Sequence, residues 1–287
     1  NKYVDASCSK TVNVFLYLID DKKEMPHEHE VIDKLHVNTA FTTTCQPHTN
    51  VHIFREEEWY RALIHESFHN LGLDFIRMGD TAIAKEENAI KTVIPVPISD
   101  IRLYETYCEM WAEILNVAFH VWTTCKSKKM DVLLRKFHET MRLEQAFAVW
   151  QCVKVLDHND IKYAKLSQDA PNYKENTQSF AYYVLKSILS VHLNRFLDFC
   201  YTQHRMVDEK TRKRKAMHNK TVRSKSRKVS ISFLKTDANL TKYRHLFTDH
   251  YDSSKMKYAM NYMKKIKKKK MGTPFFKTLR MSLIESN

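Results

Sequence analysis

The sequence predicts an α+β fold that is mainly helical, with a small sheet near the N-terminus. The chain of 287 residues contains only three glycines and six prolines. That scarcity disfavours an all-β protein, which needs many tight turns. Apolar residues make up 43% of the chain, which is enough for a hydrophobic core.

Two short segments near the N-terminus are predicted strands. Val12 to Ile19 (VNVFLYLI) is a short apolar run between charged residues, which is typical of a buried strand. Leu35 to Thr44 is rich in β-branched residues and predicts a second strand. A turn is expected over 47–50, followed by a short strand or a helix entry over 51–54.

Four helices are predicted after these strands. The first, Arg55 to Leu71, has three glutamates in its predicted first turn, and Gly72 follows where a C-terminal cap is expected. Residues 80–100 look like a connection. Three longer helices are expected over 104–122, 129–156 and 176–204, because apolar residues recur there at three- and four-residue spacing.

Charge and composition suggest three parts of the chain. Formal net charge is +14, and two basic runs lie at 210–228 and 264–270. We therefore expect a main domain with a helical subdomain over 1–205, a basic linker or loop over 206–230, and a basic helical C-terminal segment over 231–287. The two runs favour a non-specific anionic partner, either nucleic acid or acidic protein; a plain flexible surface is the alternative.

Cysteine spacing predicts a reducing, cytosolic setting, and hydropathy predicts whether the chain crosses a membrane. The six cysteines are widely scattered, which predicts reduced thiols rather than a disulfide framework. The sequence has no run of about 18 apolar residues, so we expect no transmembrane helix. The first residues do not have the pattern of a signal peptide.

An HExxH motif, His65-Glu66-Ser67-Phe68-His69, lies on the first predicted helix. Histidines four residues apart project from one helix face, so both imidazoles can bind a single Zn²⁺. Glu66 lies beside the first histidine and can take a proton from a zinc-activated water. The sequence thus predicts His65 and His69 as zinc ligands and Glu66 as general base; two purely structural histidines are the alternative.

A third zinc ligand is expected on the next predicted helix. Hydrolytic zinc usually has three protein ligands and a water. Glu105, Glu109 and Glu113 recur every four residues in ETYCEMWAE and share one face of that helix. Carboxylates on a mainly apolar helix are costly unless they are paired or bind a metal, although a solvated acidic face is the alternative.

The HESFH and EMWAE segments together resemble the gluzincin branch of the zincin metallopeptidases, over roughly residues 10–120. This resemblance implies a zincin-like N-terminal part, with a small twisted sheet and an active-site helix, followed by a helical extension. It implies Glu109 as third ligand and Glu113 as the carboxylate that orients a ligating histidine, with Glu105 as alternative third ligand. The metzincin pattern would place its third ligand at position 75, where this sequence has Phe75, which disfavours that family. Asp74 lies one position away and is a weaker alternative ligand.

The resemblance implies a zinc-dependent metallopeptidase that hydrolyses peptide bonds in a peptide or protein substrate. HESFHNLGLDF with EMWAE is also similar to metallopeptidases of large DNA viruses, which implies a cytoplasmic or virion-associated protein. One alternative is a zincin-fold structural or interaction protein, such as a virion component, with a basic anion-binding surface. Another is a basic nucleic-acid-associated protein in which HExxH is incidental. The residues eligible to stabilise an oxyanion are Tyr104, Tyr107, His120 and Tyr183.

Overall fold

The computed structural model describes residues 8–202, 231–270 and 273–284. Over these ranges the fold is mainly helical with one small sheet, as the sequence predicts. The expected linker over 206–230 and the basic run over 210–228 lie outside the described residues. Among the described residues, none of the helices combines the length and apolarity that crossing a membrane requires.

A three-stranded sheet forms the N-terminal part. β1 (Thr11–Ile19), β2 (Ala40–Thr42) and β3 (His48–Arg55) lie in the order β1-β3-β2. β3 pairs parallel with β1 and antiparallel with β2. The strand expected over 35–44 is wrong in its first half, where a short helix α1 (Lys34–Val37) forms. Asp33 caps this helix by accepting from the Leu35 N–H, while the His36 side chain accepts from the Asp33 N–H.

β1 is a strand, but the prediction that it is buried is wrong. Every residue of β1 is exposed, with Leu16 at 50% and Tyr17 at 57% of their possible surface. The motif helix α2 (Trp59–Asn70) packs against β2 and β3 and buries Val51 and Ile53. β1 lies beyond that cover, at the edge of the sheet. A short apolar run therefore did not distinguish a buried strand from an edge strand.

Three further helices follow α2: α3 (Asp80–Lys91), α4 (Leu103–Thr124) and α5 (Met130–His158). α4 and α5 match the predicted helices closely, but α3 replaces the connection expected over 80–100. Ile83 and Ile90 of α3 join the core. The Glu87 carboxylate accepts hydrogen bonds from the N–H groups of Ile101 and Leu103. α3 therefore holds the start of α4 in place.

The C-terminal half covers the first half with helices. The helix expected over 176–204 is instead a π-helix (Phe180–Leu185), α7 (Lys186–Val191) and α8 (193–202), interrupted at His192. The remaining helices are α6 (Leu166–Asp169), α9 (Asp237–Thr248), α10 (Ser254–Lys270) and α11 (Pro274–Lys277), with 3-10 turns at Ile76–Met78, Tyr163–Lys165 and Ala170–Asn172. α9 packs on α3 and α10 on α5. The basic run 264–270 forms the end of α10, and its binding of an anionic partner stays a prediction.

A disulfide joins Cys8 and Cys45, which corrects the expectation of reduced thiols for this pair. Strand register explains the pairing. β1 runs parallel to β3 with Thr11 opposite His48, and the same offset of 37 residues brings Cys8 beside Cys45. Gly72, at the end of α2, has a φ of +61°, and a Cβ there would lie 2.9 Å from the Cys8 sulfur. The bridge therefore lies directly against the end of the motif helix.

Candidate metal centre

The HExxH residues lie at the interface between α2 and α4, which pack against each other. Both histidines and all three glutamates of α4 are buried. The glutamates at 56–58, expected in the first turn of α2, instead precede the helix, and Glu58 has a left-handed backbone with a φ of 60°. The two helices thus bring the predicted ligands face to face.

Three ligand atoms converge between the helices. His65 Nε2 lies 3.1 Å from His69 Nε2, and Glu105 Oε2 lies 3.1 Å from the first and 3.3 Å from the second. In a tetrahedral site with ligands at roughly 2.0–2.1 Å from zinc, the ligand atoms are about 3.3 Å apart. Two imidazoles and one carboxylate at this spacing fit a zinc ion with a position left for water.

The second nitrogen of each histidine faces a carboxylate. His65 Nδ1 lies 2.8 Å from Glu109 Oε1, and His69 Nδ1 lies 2.5 Å from Asp74 Oδ2. The His69 contact is a hydrogen bond, which fixes the tautomer and directs Nε2 towards a metal, and Glu109 approaches His65 Nδ1 as an ion-pair partner. The geometry therefore places Glu109, expected as third ligand, at the other ring nitrogen of His65. The position that faces both Nε2 atoms belongs to Glu105, the alternative in the sequence.

Glu113 lies one helical turn further from the histidines. Its carboxylate is 2.5 Å from Lys186 Nζ, and Glu109 is 3.7 Å from the same ammonium and hydrogen-bonds Arg61. Glu113 therefore contacts a lysine rather than the ligating histidine that the resemblance implied. Glu105 and Glu109 have the same four-residue spacing as the expected pair of Glu109 and Glu113. They lie where the ligand and the orienting carboxylate were expected, one helical turn earlier on α4.

The protonation of the cluster is strongly shifted. Burial lowers the pKa of His65, but hydrogen bonds to Glu105 and Glu109 outweigh it and raise that pKa to about 9. Burial raises the pKa of both glutamates, but nearby positive charge reverses this shift. The histidines hold the pKa of Glu105 well below the usual range. Arg61 and His65 do the same for Glu109. The carboxylates are thus ionised, and they favour a cation between the two imidazoles, either protons or a divalent metal.

Glu66 differs from the ligands because it is only partly buried. Burial raises its pKa, and the nearby His65 and His69 oppose this rise. A carboxyl group with a raised pKa can both accept and release a proton nearer to neutral pH. Its position beside His65 is therefore suited to the general base that the motif predicts.

Tyr182 also touches the cluster and was not found from the sequence. Its hydroxyl donates to Glu105 Oε2 at 3.2 Å, and its ring centre lies 6.1 Å from that of His65, edge to face. It comes from the π-helix, more than a hundred residues after the motif. No sequence spacing links such distant positions, so only the packing of that helix on α4 reveals the contact.

Of the four residues considered for oxyanion stabilisation, Tyr104 lies near the metal cluster and the other three lie away from it. The Tyr104 ring centre is 6.0 Å from that of His69. The hydroxyls of Tyr107 and Tyr183 donate to the carbonyls of Ile231 and Leu279. His120 lies near the far end of α4.

Cys108 makes a second possible metal group with His69 and Asp74. Its sulfur lies 3.7 Å from His69 Nδ1 and 3.7 Å from Asp74 Oδ2. His69 Nδ1 and Asp74 Oδ2 lie 2.5 Å apart, which is closer than the roughly 3.3 Å between two ligand atoms of one tetrahedral zinc ion. The first group, with His65 and Glu105, is therefore the better zinc site.

Comparisons of the chain with protein-family models, with curated proteins and with solved structures found no match. The likeness to zincins stays a prediction from the two motif segments. The function of the site has to be inferred from its own geometry and chemistry.

Proposed function

We propose that this protein is a zinc-dependent metallopeptidase whose metal is held by His65, His69 and Glu105. The observation that supports this most strongly is the triangle formed by the two Nε2 atoms and Glu105 Oε2, with sides of 3.1 to 3.3 Å. Hydrolytic zinc sites use such a set of three protein ligands and keep a fourth position open.

The surrounding carboxylates support the same assignment. Glu109 and Asp74 each occupy the outer nitrogen of one histidine, a partner that raises ligand basicity and is typical of zinc-binding histidines. Glu109 is already engaged by Arg61 and lies near Lys186. Its charge is balanced by these cations, whereas the Glu105 carboxylate contacts the two histidines and the Tyr182 hydroxyl.

In the proposed mechanism each residue has a separate task. A bound zinc ion would polarise the peptide carbonyl and lower the pKa of a water molecule. Glu66 accepts the proton of the attacking water and returns it to the leaving amine. Burial raises the pKa of Tyr182 well above its ordinary value, so its phenol stays a hydrogen-bond donor. Its single O–H would turn from Glu105 Oε2 to donate to a substrate oxygen beside that carboxylate.

A zincin-like structural or interaction protein is the second candidate, and burial of the site favours it. His65, His69 and Glu105 are only 6%, 5% and 9% exposed, and Tyr182 from the helical extension lies over Glu105. A zinc ion enclosed in this way would stabilise the α2–α4 interface without turning over a substrate.

Glu66→Gln separates the two candidates because it keeps the shape of the side chain but cannot accept a proton. The peptidase proposal predicts that the variant retains one equivalent of zinc and loses about 10²- to 10⁴-fold in cleavage rate. Cleavage of a peptide library would be followed by mass spectrometry, with the exposed Glu28→Gln as matched control. A wild-type protein that holds zinc and cleaves no peptide would instead favour the structural candidate.

A further inference from the structure

The C-terminal strap, which we define as residues 276–284, is held through its backbone. Lys154 donates to the carbonyls of Phe276 and Thr278, and Lys186 donates to that of Met281 at 2.9 Å. Glu58 accepts from the N–H groups of Met281 and Ser282, and Glu144 accepts from those of Leu283 and Ile284. Protein side chains thus bind the main chain of the strap along its length.

The four ionisable groups that hold the strap are almost completely buried. Lys154, Lys186, Glu58 and Glu144 are 2%, 2%, 3% and 1% exposed. A buried charge is strongly destabilising unless hydrogen bonds or an opposite charge compensate it. The strap backbone supplies much of that compensation, so removal of the strap would leave these groups short of partners.

One of the four groups also reaches the proposed metal site. Lys186 Nζ lies 2.9 Å from the Met281 carbonyl and 3.7 Å from Glu109 Oε2. The other oxygen of Glu109 lies 2.8 Å from His65 Nδ1. A chain of three polar contacts therefore connects the strap backbone with a proposed zinc ligand.

Lys154 offers an internal comparison with Lys186. Both are buried lysines that donate to strap carbonyls. The Lys154 ammonium binds Phe276 and Thr278, whereas that of Lys186 also lies against Glu109 and Glu113. Of these two lysines, Lys186 is therefore the one placed to transmit the state of the strap to the histidine.

We propose that docking of the strap positions His65 through Lys186 and Glu109, so that strap docking and zinc binding strengthen each other. The inference depends on the proposed zinc site. With Met281 in place, the Lys186 ammonium is shared between a fixed carbonyl and the carboxylates of Glu113 and Glu109, which keeps the Glu109 carboxylate against His65 Nδ1. Lys186 is thus a positioning residue, and thermodynamic linkage makes the effect reciprocal.

The test compares Lys186→Met with Lys154→Met in the full chain. Zinc affinity would be measured by competition with a chelator, after the wild-type protein has been shown to bind zinc; that first measurement tests the proposed function by itself. We expect Lys186→Met to weaken zinc binding by up to about 10- to 100-fold, the usual effect of losing the outer partner itself, and Lys154→Met to leave it unchanged. Equal affinities in the two variants would overturn the inference.

A measurement on the wild-type protein covers the case in which a variant fails to fold. Hydrogen exchange of the Met281 and Ser282 amides would be followed with and without zinc. Coupling predicts that zinc slows their exchange, because both amides donate to Glu58 only while the strap is docked. Identical exchange rates in the apo and zinc-loaded wild-type protein would overturn the inference, since a purely structural strap would not sense the metal.

Discussion

Two clusters of buried charge lie a few contacts apart in this molecule, and they differ in what compensates them. In the groove of the C-terminal strap, Glu58, Glu144, Lys154 and Lys186 bind the N–H and C=O groups of the chain itself. Between α2 and α4, the atoms of His65, His69 and Glu105 face one another across about the spacing of a zinc site. The backbone of the chain thus completes the strap groove, whereas our proposal is that a zinc ion completes the second cluster.

The largest expected effect breaks the metal cluster. His65→Ala should remove stoichiometric zinc, because loss of a ligand costs more than the roughly 100-fold that loss of an outer partner can cost. Zinc content after dialysis would be measured by atomic emission, with the exposed His245→Ala as control. Equal zinc content in the two variants would show that HExxH is incidental.

The next effect concerns the strap groove and its pH dependence. Burial raises the pKa of Glu58, but Lys23 and Arg61 outweigh it and lower that pKa to about 2, from an ordinary value of 4.5. Because the folded-state pKa is depressed, Glu58 stabilises the fold above about pH 4.5, and this contribution is lost as the pH falls towards 2. The shift corresponds to about 3 kcal/mol.

Glu58→Gln should therefore lower the free energy of unfolding by about 3 kcal/mol at neutral pH. The difference from wild type should shrink as the pH falls below about 4.5, and urea unfolding at several pH values would measure it. Glu28→Gln is the exposed control. A difference that stays constant down to pH 2 would mean that the charge of Glu58 is not responsible.

A third prediction sharpens the assignment within the metal cluster. Glu105→Ala should weaken zinc binding more than Glu109→Ala, since Glu105 faces both Nε2 atoms and Glu109 faces only the outer nitrogen of His65. For Glu109→Ala we expect a loss of about 10- to 100-fold. Chelator competition on both variants would measure the two losses, and the reverse order would restore Glu109 as third ligand.

The choice between Glu105 and Glu109 as third ligand shows what the sequence could and could not predict. Helical periodicity correctly placed Glu105, Glu109 and Glu113 on one face, and HExxH placed the histidines on α2. Periodicity does not say which turn of α4 lies opposite the histidines, because that depends on how far one helix is shifted along the other. The tertiary packing of α2 on α4 decides the ligand, and the sequence contains no local signal for it.

Two other differences between the predictions from the sequence and the structure also arise from tertiary packing. The apolar run of β1 predicted a strand correctly but not its exposure, because the position of α2 decides which strands are covered. The glutamates at 57 and 58 fitted the first turn of a helix, yet Glu58 serves the backbone of Met281 and Ser282, more than two hundred residues later. Contacts between such distant positions have no signature in a single sequence.

The last prediction concerns the pH dependence of zinc binding. The pKa of His65 is raised to about 9, so below that pH zinc must displace a proton from the imidazole. Zinc affinity should therefore increase about tenfold per pH unit for each displaced proton as the pH rises towards 9. Competition titrations between about pH 6 and pH 8 would measure this slope. An affinity independent of pH would contradict the charged cluster described above.

X-ray absorption at the zinc edge of the purified full chain tests the central claim most directly. We predict two imidazole nitrogens at roughly 2.0–2.1 Å from zinc, and oxygen atoms of the carboxylate and of water at roughly 2.0–2.2 Å. No sulfur should be present in the coordination shell. A zinc–sulfur distance near 2.3 Å would instead indicate Cys108 in the coordination shell. Either that result or a protein that retains no zinc would contradict a centre built from His65, His69 and Glu105.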